Sequence, residues 1–309
     1  MQQHPVVVGL VPKSRDSSFF RAVVKGGEEA ASELTGVHLI FTGPDSPTVA
    51  GQVEALNTLM GQHVDAIAIS ANDRTALVPT LQRAMQSGIK VITYDADVSA
   101  EGRLLHLSAF SDPIIGSTCM QLVAAAAPGG RGKYAIVSTN STAANQNTWI
   151  AAMKQASPKF PGLELVSVVY GDDLPDKSYR ETQALLKSYP DLVVVASPSA
   201  VGILAAAKAV EDAGLTGKVH VTGLGLPSEL EPYVRSGTIK SFAMWNPVDL
   251  GYAAVQIAVR MARGEATMPV TSISIGRLGT VSFNESGVGL LNNLSTFDES
   301  NVARFAKLF

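Results

Sequence analysis

The sequence predicts an α/β protein made of two doubly wound parallel-sheet lobes joined by a three-segment hinge. Short β-branched runs alternate with stretches of helical periodicity, and that rhythm runs twice along the 309 residues. Polar and aromatic residues also cluster just past the runs, where open parallel sheets present their binding groups.

The runs of the first half are Val6–Val11, Val37–Phe41, Ala66–Ile69 and Lys90–Tyr94, and those of the second are 134–138, 165–170, 192–196 and 219–223. Apolar spacing predicts helices over 20–34, 75–86, 114–126 and 200–213. Ser111-Asp112-Pro113 reads as the cap and first turn of the helix that opens the second lobe. A short strand, Phe242-Ala243-Met244, is broken by Trp245-Asn246-Pro247 before a helix over 248–263 that stops at Gly264. The first sheet lacks a cover without that helix, so the chain is expected to cross back there. Short strands over 272–276 and 280–283 flank Arg277-Leu278-Gly279, read as a final crossing. The expected division is 1–109 plus 246–276 for the N-terminal lobe and 110–245 plus 277–309 for the C-terminal lobe. Lobes so joined can close on a ligand that touches both.

Composition excludes several classes. Net charge is -3 with no basic cluster, which argues against grip on a nucleic-acid backbone. The longest apolar stretch, around 122–127, is too short to span a bilayer and ends at Pro128-Gly129. Cys119 is the only cysteine and reads as a buried, inert residue. The lead Met1-Gln2-Gln3-His4-Pro5 shows no charged and apolar leader. That fits a cytoplasmic protein, and equally a secreted one whose signal was replaced by a start methionine.

Glycine-rich spots carry no nucleotide site. Pro128-Gly129-Gly130-Arg131-Gly132 precedes a strand and lacks the Lys-Ser/Thr of a phosphate loop, and Gly223-Leu224-Gly225 is out of register for a dinucleotide fingerprint. The five histidines are scattered, so no metal set is expected, and no serine has an evident His/Asp set. Asp172, Asp173 and Asp176 read as a solvated turn before a helix. No cofactor and no catalysis are expected.

The strand ends read differently. Lys13 stands just past the first run, and Phe19-Phe20 open a helix on which adjacent rings point apart, leaving one for a ligand face. Asp95 tips the fourth run and could accept from two ligand hydroxyls, while Asp97 reads as a cap or solvent-facing acid. Ser70-Ala71-Asn72-Asp73 reads as a helix cap, with Asn72 a further candidate. In the second half Asn145, Gln146 and Asn147 precede Trp149, an uncharged amide set suited to neutral, hydroxyl-rich ligands. Small residues after the next strands, in Ser197-Pro198-Ser199-Ala200 and Gly223-Leu224-Gly225, allow close backbone approach, and Trp245 could wall a sugar ring.

Gly9-Leu10-Val11-Pro12-Lys13 with Phe19-Phe20, Gly51-Gln52-Val53-Glu54, Val64-Asp65-Ala66-Ile67, Ile92-Thr93-Tyr94-Asp95-Ala96-Asp97, Asn145-Gln146-Asn147-Thr148-Trp149 and Val221-Thr222-Gly223-Leu224-Gly225-Leu226-Pro227 carry a resemblance. Over its whole length the chain resembles the type I periplasmic solute-binding proteins of carbohydrate ABC transporters. Tyr170-Gly171-Asp172-Asp173, Lys177-Ser178-Tyr179-Arg180 and Trp245-Asn246-Pro247-Val248-Asp249-Leu250-Gly251 look most similar to rhamnose-binding proteins, relatives of the autoinducer-2-binding proteins. The resemblance to the latter puts a binding lysine on Lys13, an aspartate on Asp95, an aspartate–glutamine pair on Asn145 and Gln146, and a proline and small residue on Pro198 and Ala200. Asn145 replaces the acid, which argues against that signal. The Asp-Arg pair of ribose-type relatives is Asp95-Ala96 here, which argues against plain ribose.

The implied protein is a monomeric extracytoplasmic receptor that delivers a deoxy-sugar such as rhamnose to permease subunits. It meets the membrane only through them or through a removed lipid anchor. Its ligand residues would be Lys13, Phe19, Phe20, Asp95, Asn145, Gln146, Pro198, Ala200, Gly225 and Trp245. An autoinducer-2 receptor is the alternative. The effector core of a sugar-responsive repressor is a further one, and an enzyme of doubly wound fold the last.

Overall fold

The structure is a computed structural model that describes residues 5–309, so the readings placed on Met1 to His4 lie outside the described residues. The chain runs β1 (Val6–Val11), α1 (Ser18–Glu33), β2 (Val37–Phe41), α2 (Val49–Gly61), β3 (Ala66–Ile69), α3 (Val78–Gln86), β4 (Lys90–Tyr94), β5 (Leu105–Ser108) and α4 (Asp112–Ala126). It continues as β6 (Gly132–Ser138), α5 (Ala144–Ala156), β7 (Leu163–Tyr170), α6 (Pro175–Ser188), β8 (Leu192–Ser197), α7 (Ala200–Asp212), β9 (His220–Gly223) and α8 (Pro227–Arg235). The last stretch is β10 (Ser241–Met244), α9 (Pro247–Ala262), β11 (Ser272–Ser274), β12 (Thr280–Ser282), β13 (Val288–Leu290), β14 (Ser295–Asp298) and α10 (Val302–Phe305).

Two units divide the chain, Met1–Phe110 with Asn246–Asn293 and Ser111–Trp245 with Leu294–Phe309. In the first, a six-stranded parallel sheet has the order β13-β5-β4-β3-β1-β2. The apolar residues of α2 and α3, among them Leu56, Leu59 and Leu81, bury one face of it with Ile67, Ile69 and Val91. The other side holds α9, thirteen of whose sixteen residues are buried, which makes it a central helix rather than a surface cover. Two glycines let α1 and α9 meet backbone to backbone. A Cβ on Gly26 would stand 1.8 Å from the Val248 carbonyl oxygen, and one on Gly251 1.8 Å from that of Val23.

The expected crossing at Arg277-Leu278-Gly279 is not one. β11 and β12 pair antiparallel, Ile273 opposite Val281, around a tight turn held by positive φ at Gly276 and Gly279. The chain stays in the first unit until Asn293 because β13 adds beside β5, with Gly289 opposite Leu107. Helix α3 also starts at Val78 rather than at 75, since Asp73 Oδ1 accepts from the N–H of Thr75 and of Ala76 and holds a turn there.

The second unit repeats the plan with a parallel sheet of order β7-β6-β8-β9. Parallel bridges from Val221 to Ile239 and from Leu224 to Ala243 lead on to β10, which pairs antiparallel with β14. Phe242, Phe297, Phe305 and Phe309 stack around that pair. In each sheet the first strand of the unit lies inside, between the second and the third. The strand order therefore reverses between β1 and β3 in one unit and between β6 and β8 in the other, where α/β sheets open a crevice at their carboxyl ends.

Candidate functional site

The first unit gathers its candidates at that reversal. Lys13 and Ser14 follow β1 and are buried, Lys13 being 5% exposed. Asn72, the third residue past β3, donates from Nδ2 to the Lys13 carbonyl at 3.0 Å, so it braces the lysine loop instead of capping a helix. Asp95 stands half-buried past β4 with φ of 58°, a left-handed conformation that aspartate tolerates better than most residues. Its N–H donates to the Leu107 carbonyl, and its Oδ2 accepts from Ser70 Oγ at 2.8 Å. Ser70, fully buried after β3, was no sequence candidate. Its signal was only its place at a strand end.

Phe19 and Phe20 are both buried, at 7% and 5% exposure. Their rings meet edge to face at 5.1 Å, and Phe20 meets Tyr94 likewise at 6.4 Å. The Tyr94 hydroxyl donates to the Val11 carbonyl at 3.2 Å, tying the end of β4 to that of β1. Burial, and then the charge of Asp95, push this phenol well above its ordinary pKa, so it remains a donor.

Asp97 does not face solvent as expected. Arg103 grips it with Nη2 on Oδ2 at 2.9 Å and Nε on Oδ1 at 3.0 Å, and Thr93 Oγ1 donates to it at 2.6 Å. Arg103 also reaches the Ser286 carbonyl at 2.8 Å. The loop that begins with Asp95 is thus clamped at its far end.

In the second unit Asn145, Gln146 and Trp149 lie on the first turns of α5 and are buried. Gln146 Oε1 accepts from Ser138 Oγ at 2.8 Å and from the Thr139 N–H at 3.0 Å, which fixes the oxygen end of its amide toward β6. Asn145 Oδ1 accepts from the Gln146 N–H at 2.9 Å. Asn147 braces its own loop, donating to the Ser141 carbonyl at 2.8 Å. Pro198 is buried and Ala200 half-buried at the end of β8. Between them Ser199 caps α7, accepting from the Gly202 N–H at 3.0 Å.

The acidic turn is not merely solvated either. Asp172 and Asp173 both take left-handed φ, near 54° and 53°. Asp173 Oδ1 accepts from Ser199 Oγ at 2.7 Å, and Asp172 pairs with Lys177. Gly225 has its Cα flanked by Leu230 and Ile203, which a Cβ would approach to 2.4 and 2.8 Å. Packing inside the unit therefore accounts for the glycine. Trp245 is buried with its ring 5.7 Å from Trp149, whose Nε1 donates to Asp112 Oδ1 at 2.7 Å. Cys119 is buried, and loss of solvent pushes its thiol up to about 12, which keeps it protonated.

The first unit thus sets Lys13 past β1 and Asp95 past β4, and the second sets Asn145, Gln146, Pro198 and Ala200 past β6 and β8, Gly225 past β9 and Trp245 past β10. Such groups can bind hydroxyls, and among the described residues no three His, Cys, Asp or Glu are grouped to hold a metal ion.

The profile of the periplasmic binding protein domain matches residues 8–266. An ABC transporter solute-binding protein of Clostridium phytofermentas, solved with bound L-rhamnose, is similar over 99% of each chain at 32% identity and a TM-score of 0.94. The D-ribose/D-allose-binding protein of Pseudomonas aeruginosa is 24% identical over 273 residues, 84% of this chain and 82% of that one. LsrB of Clostridium saccharobutylicum, solved in complex with AI-2, shares the fold at a TM-score of 0.91 and 22% identity, over 97% of this chain and 99% of its own. The chain belongs to the periplasmic binding protein family, with its type I α/β fold, among relatives that are solute-binding proteins of sugar ABC transporters.

Proposed function

We propose that the protein is the extracytoplasmic substrate-binding component of an ABC sugar importer and that it takes a deoxy-sugar such as L-rhamnose. The observation that carries this reading is the make-up of the two strand-end sets. One carboxylate and one lysine stand with buried amides and aromatic rings, and the amides are oriented by protein partners. Asp95 would accept from neighbouring hydroxyls, while Lys13 and the Gln146 amino group would donate. Phe19, Phe20 and Trp245 would meet the apolar side of the sugar, its methyl group included. Asn145, Pro198, Ala200 and the backbone at Gly225 complete the proposed set. The rhamnose-bound relative, similar over 99% of both chains, supports this choice of ligand.

A second reading is an AI-2 receptor, favoured by Lys13, Asp95, Gln146, Pro198 and Ala200 at matching positions. It is opposed by Asn145, which cannot supply the charge-assisted bond of a carboxylate, about 1.5–3 kcal/mol. In either case the protein hands its ligand unchanged to permease subunits and acts as a monomer outside the cytoplasm.

Calorimetric titration of refolded, ligand-stripped protein with L-rhamnose, in parallel with AI-2, tests the reading. One-to-one tight binding of rhamnose is expected. Binding of AI-2 alone moves the role to signal uptake, and heat from neither discards both ligands. Asp95→Ala is expected to weaken rhamnose at least about a hundredfold with the circular dichroism spectrum unchanged; retained affinity removes Asp95 from the site.

A further inference from the structure

Gln52 has no exposure at all, yet it lies on the stripe of α2 that otherwise presents Ala55, Leu56 and Leu59 to the core. A carboxamide stripped of water there needs partners from the protein. It has them. Nε2 donates to the Pro12 carbonyl at 2.9 Å and to the Ser70 carbonyl at 2.7 Å, and Oε1 accepts from the Asn72 N–H at 2.9 Å. Pro12 follows β1, and Ser70 and Asn72 follow β3. One side chain therefore joins the two strand ends that flank the reversal of the sheet.

Both charged candidates hang on those same residues. Asn72 Nδ2 holds the Lys13 carbonyl at 3.0 Å, and Ser70 Oγ holds the Asp95 carboxylate at 2.8 Å. From the amide of Gln52, one branch leads to the lysine and another to the aspartate.

We propose that Gln52 is a positioning residue that fixes Lys13 relative to Asp95, and so sets affinity and stereochemical preference for the sugar without contacting it. This rests on the reading of Lys13 and Asp95 as ligand groups. No simple replacement keeps the arrangement. Methionine fills the volume but leaves two carbonyls and an N–H without partners, and glutamate sets an acceptor against both carbonyls. The strands themselves have other ties, the parallel ladders of β1 with β3 and of β3 with β4. Loss of Gln52 therefore loosens the loops before it loosens the sheet.

Full-length Gln52→Met and Gln52→Glu test this with two readouts. In ligand-free Gln52→Met, which removes the acceptor, amide exchange at Asn72 is expected to quicken at least about tenfold while Ile67 and Ile92 keep wild-type rates. In titrations, L-rhamnose is expected to weaken about 10- to 100-fold, and its preference over the diastereomer L-fucose to narrow. A role in stability alone lowers the melting temperature, quickens exchange evenly across β3 and β4, and leaves affinity and preference intact; that result overturns the proposal. Should neither variant fold, Ser70→Ala and Asn72→Ala each cut one branch, and unchanged preference in both overturns it as well. A wild-type protein that binds neither sugar defeats the functional reading, while the exchange pattern still decides whether Gln52 holds the two loops.

Discussion

Asp97 receives hydrogen bonds from Thr93, from the Val98 N–H and from both forks of Arg103, whose side chain is only 5% exposed. Burial alone would push its carboxyl up. The charges of His106 and Arg103 and the hydrogen bonds from Arg103 and Thr93 outweigh that and hold it below the ordinary carboxylate value. A depressed folded pKa contributes stability that is fully present above the unfolded value of about 4 and is lost as pH falls through the folded one. Asp97→Asn is therefore expected to destabilise by about 2 kcal/mol near pH 6, since it leaves Arg103 buried without its counter-charge. Thermal melts from pH 6 to pH 2 should show the gap between wild type and variant closing below about pH 4; a constant gap excludes the ion pair as its source. Of this clamp the sequence showed only the acid. Arg103 is six positions away and Ser286 lies at the other end of the unit's chain, so no local pattern joins them. Lys13 and Asp95 could be singled out as candidates because each stands just past a β-branched run, and the amides before Trp149 because three stand together; what each one touches was not written in the sequence.

At the scale of elements, α1 and α9 depend on Gly26 and Gly251 for their approach. A methyl group on either would meet a carbonyl of the facing helix, which has no flexible end to turn aside. Gly251→Ala is expected to force the helices apart and to lower the melting temperature by about 5–10 °C, despite alanine's better helix propensity. Scanning calorimetry checks this, and an unchanged or raised midpoint would mean that the pair is looser than described. The longer elements were legible in the sequence: β1 to β4 have the bounds that their β-branched runs predict, and α9 shows itself by its apolar residues. The misplaced crossing has a physical cause. β13 is Val288-Gly289-Leu290, too short to display a period, and only its pairing with β5 reveals it.

At the scale of the whole molecule, neither unit is one continuous piece of chain. The first needs Asn246–Asn293 to supply α9 and β13, and the second needs Leu294–Phe309 to supply β14 and α10. The debts are unequal. A chain ending at Trp245 lacks the central helix of the first unit and leaves β5 an open edge, whereas the second unit keeps its four parallel strands. In such a fragment, amide exchange is expected to show protection in β6 and β8 and little in β1 and β3. Equal protection in both would mean that the first sheet stands without α9. Direction of synthesis gives this feature its consequence. The chain leaves the ribosome amino end first, yet the amino-terminal unit is not complete until Asn293, behind all four parallel strands of the other and ahead only of Leu294–Phe309. Until the residues of β13 emerge, the five strands β1 to β5 have sequence but no finished core, and folding that follows the order of translation is closed to them.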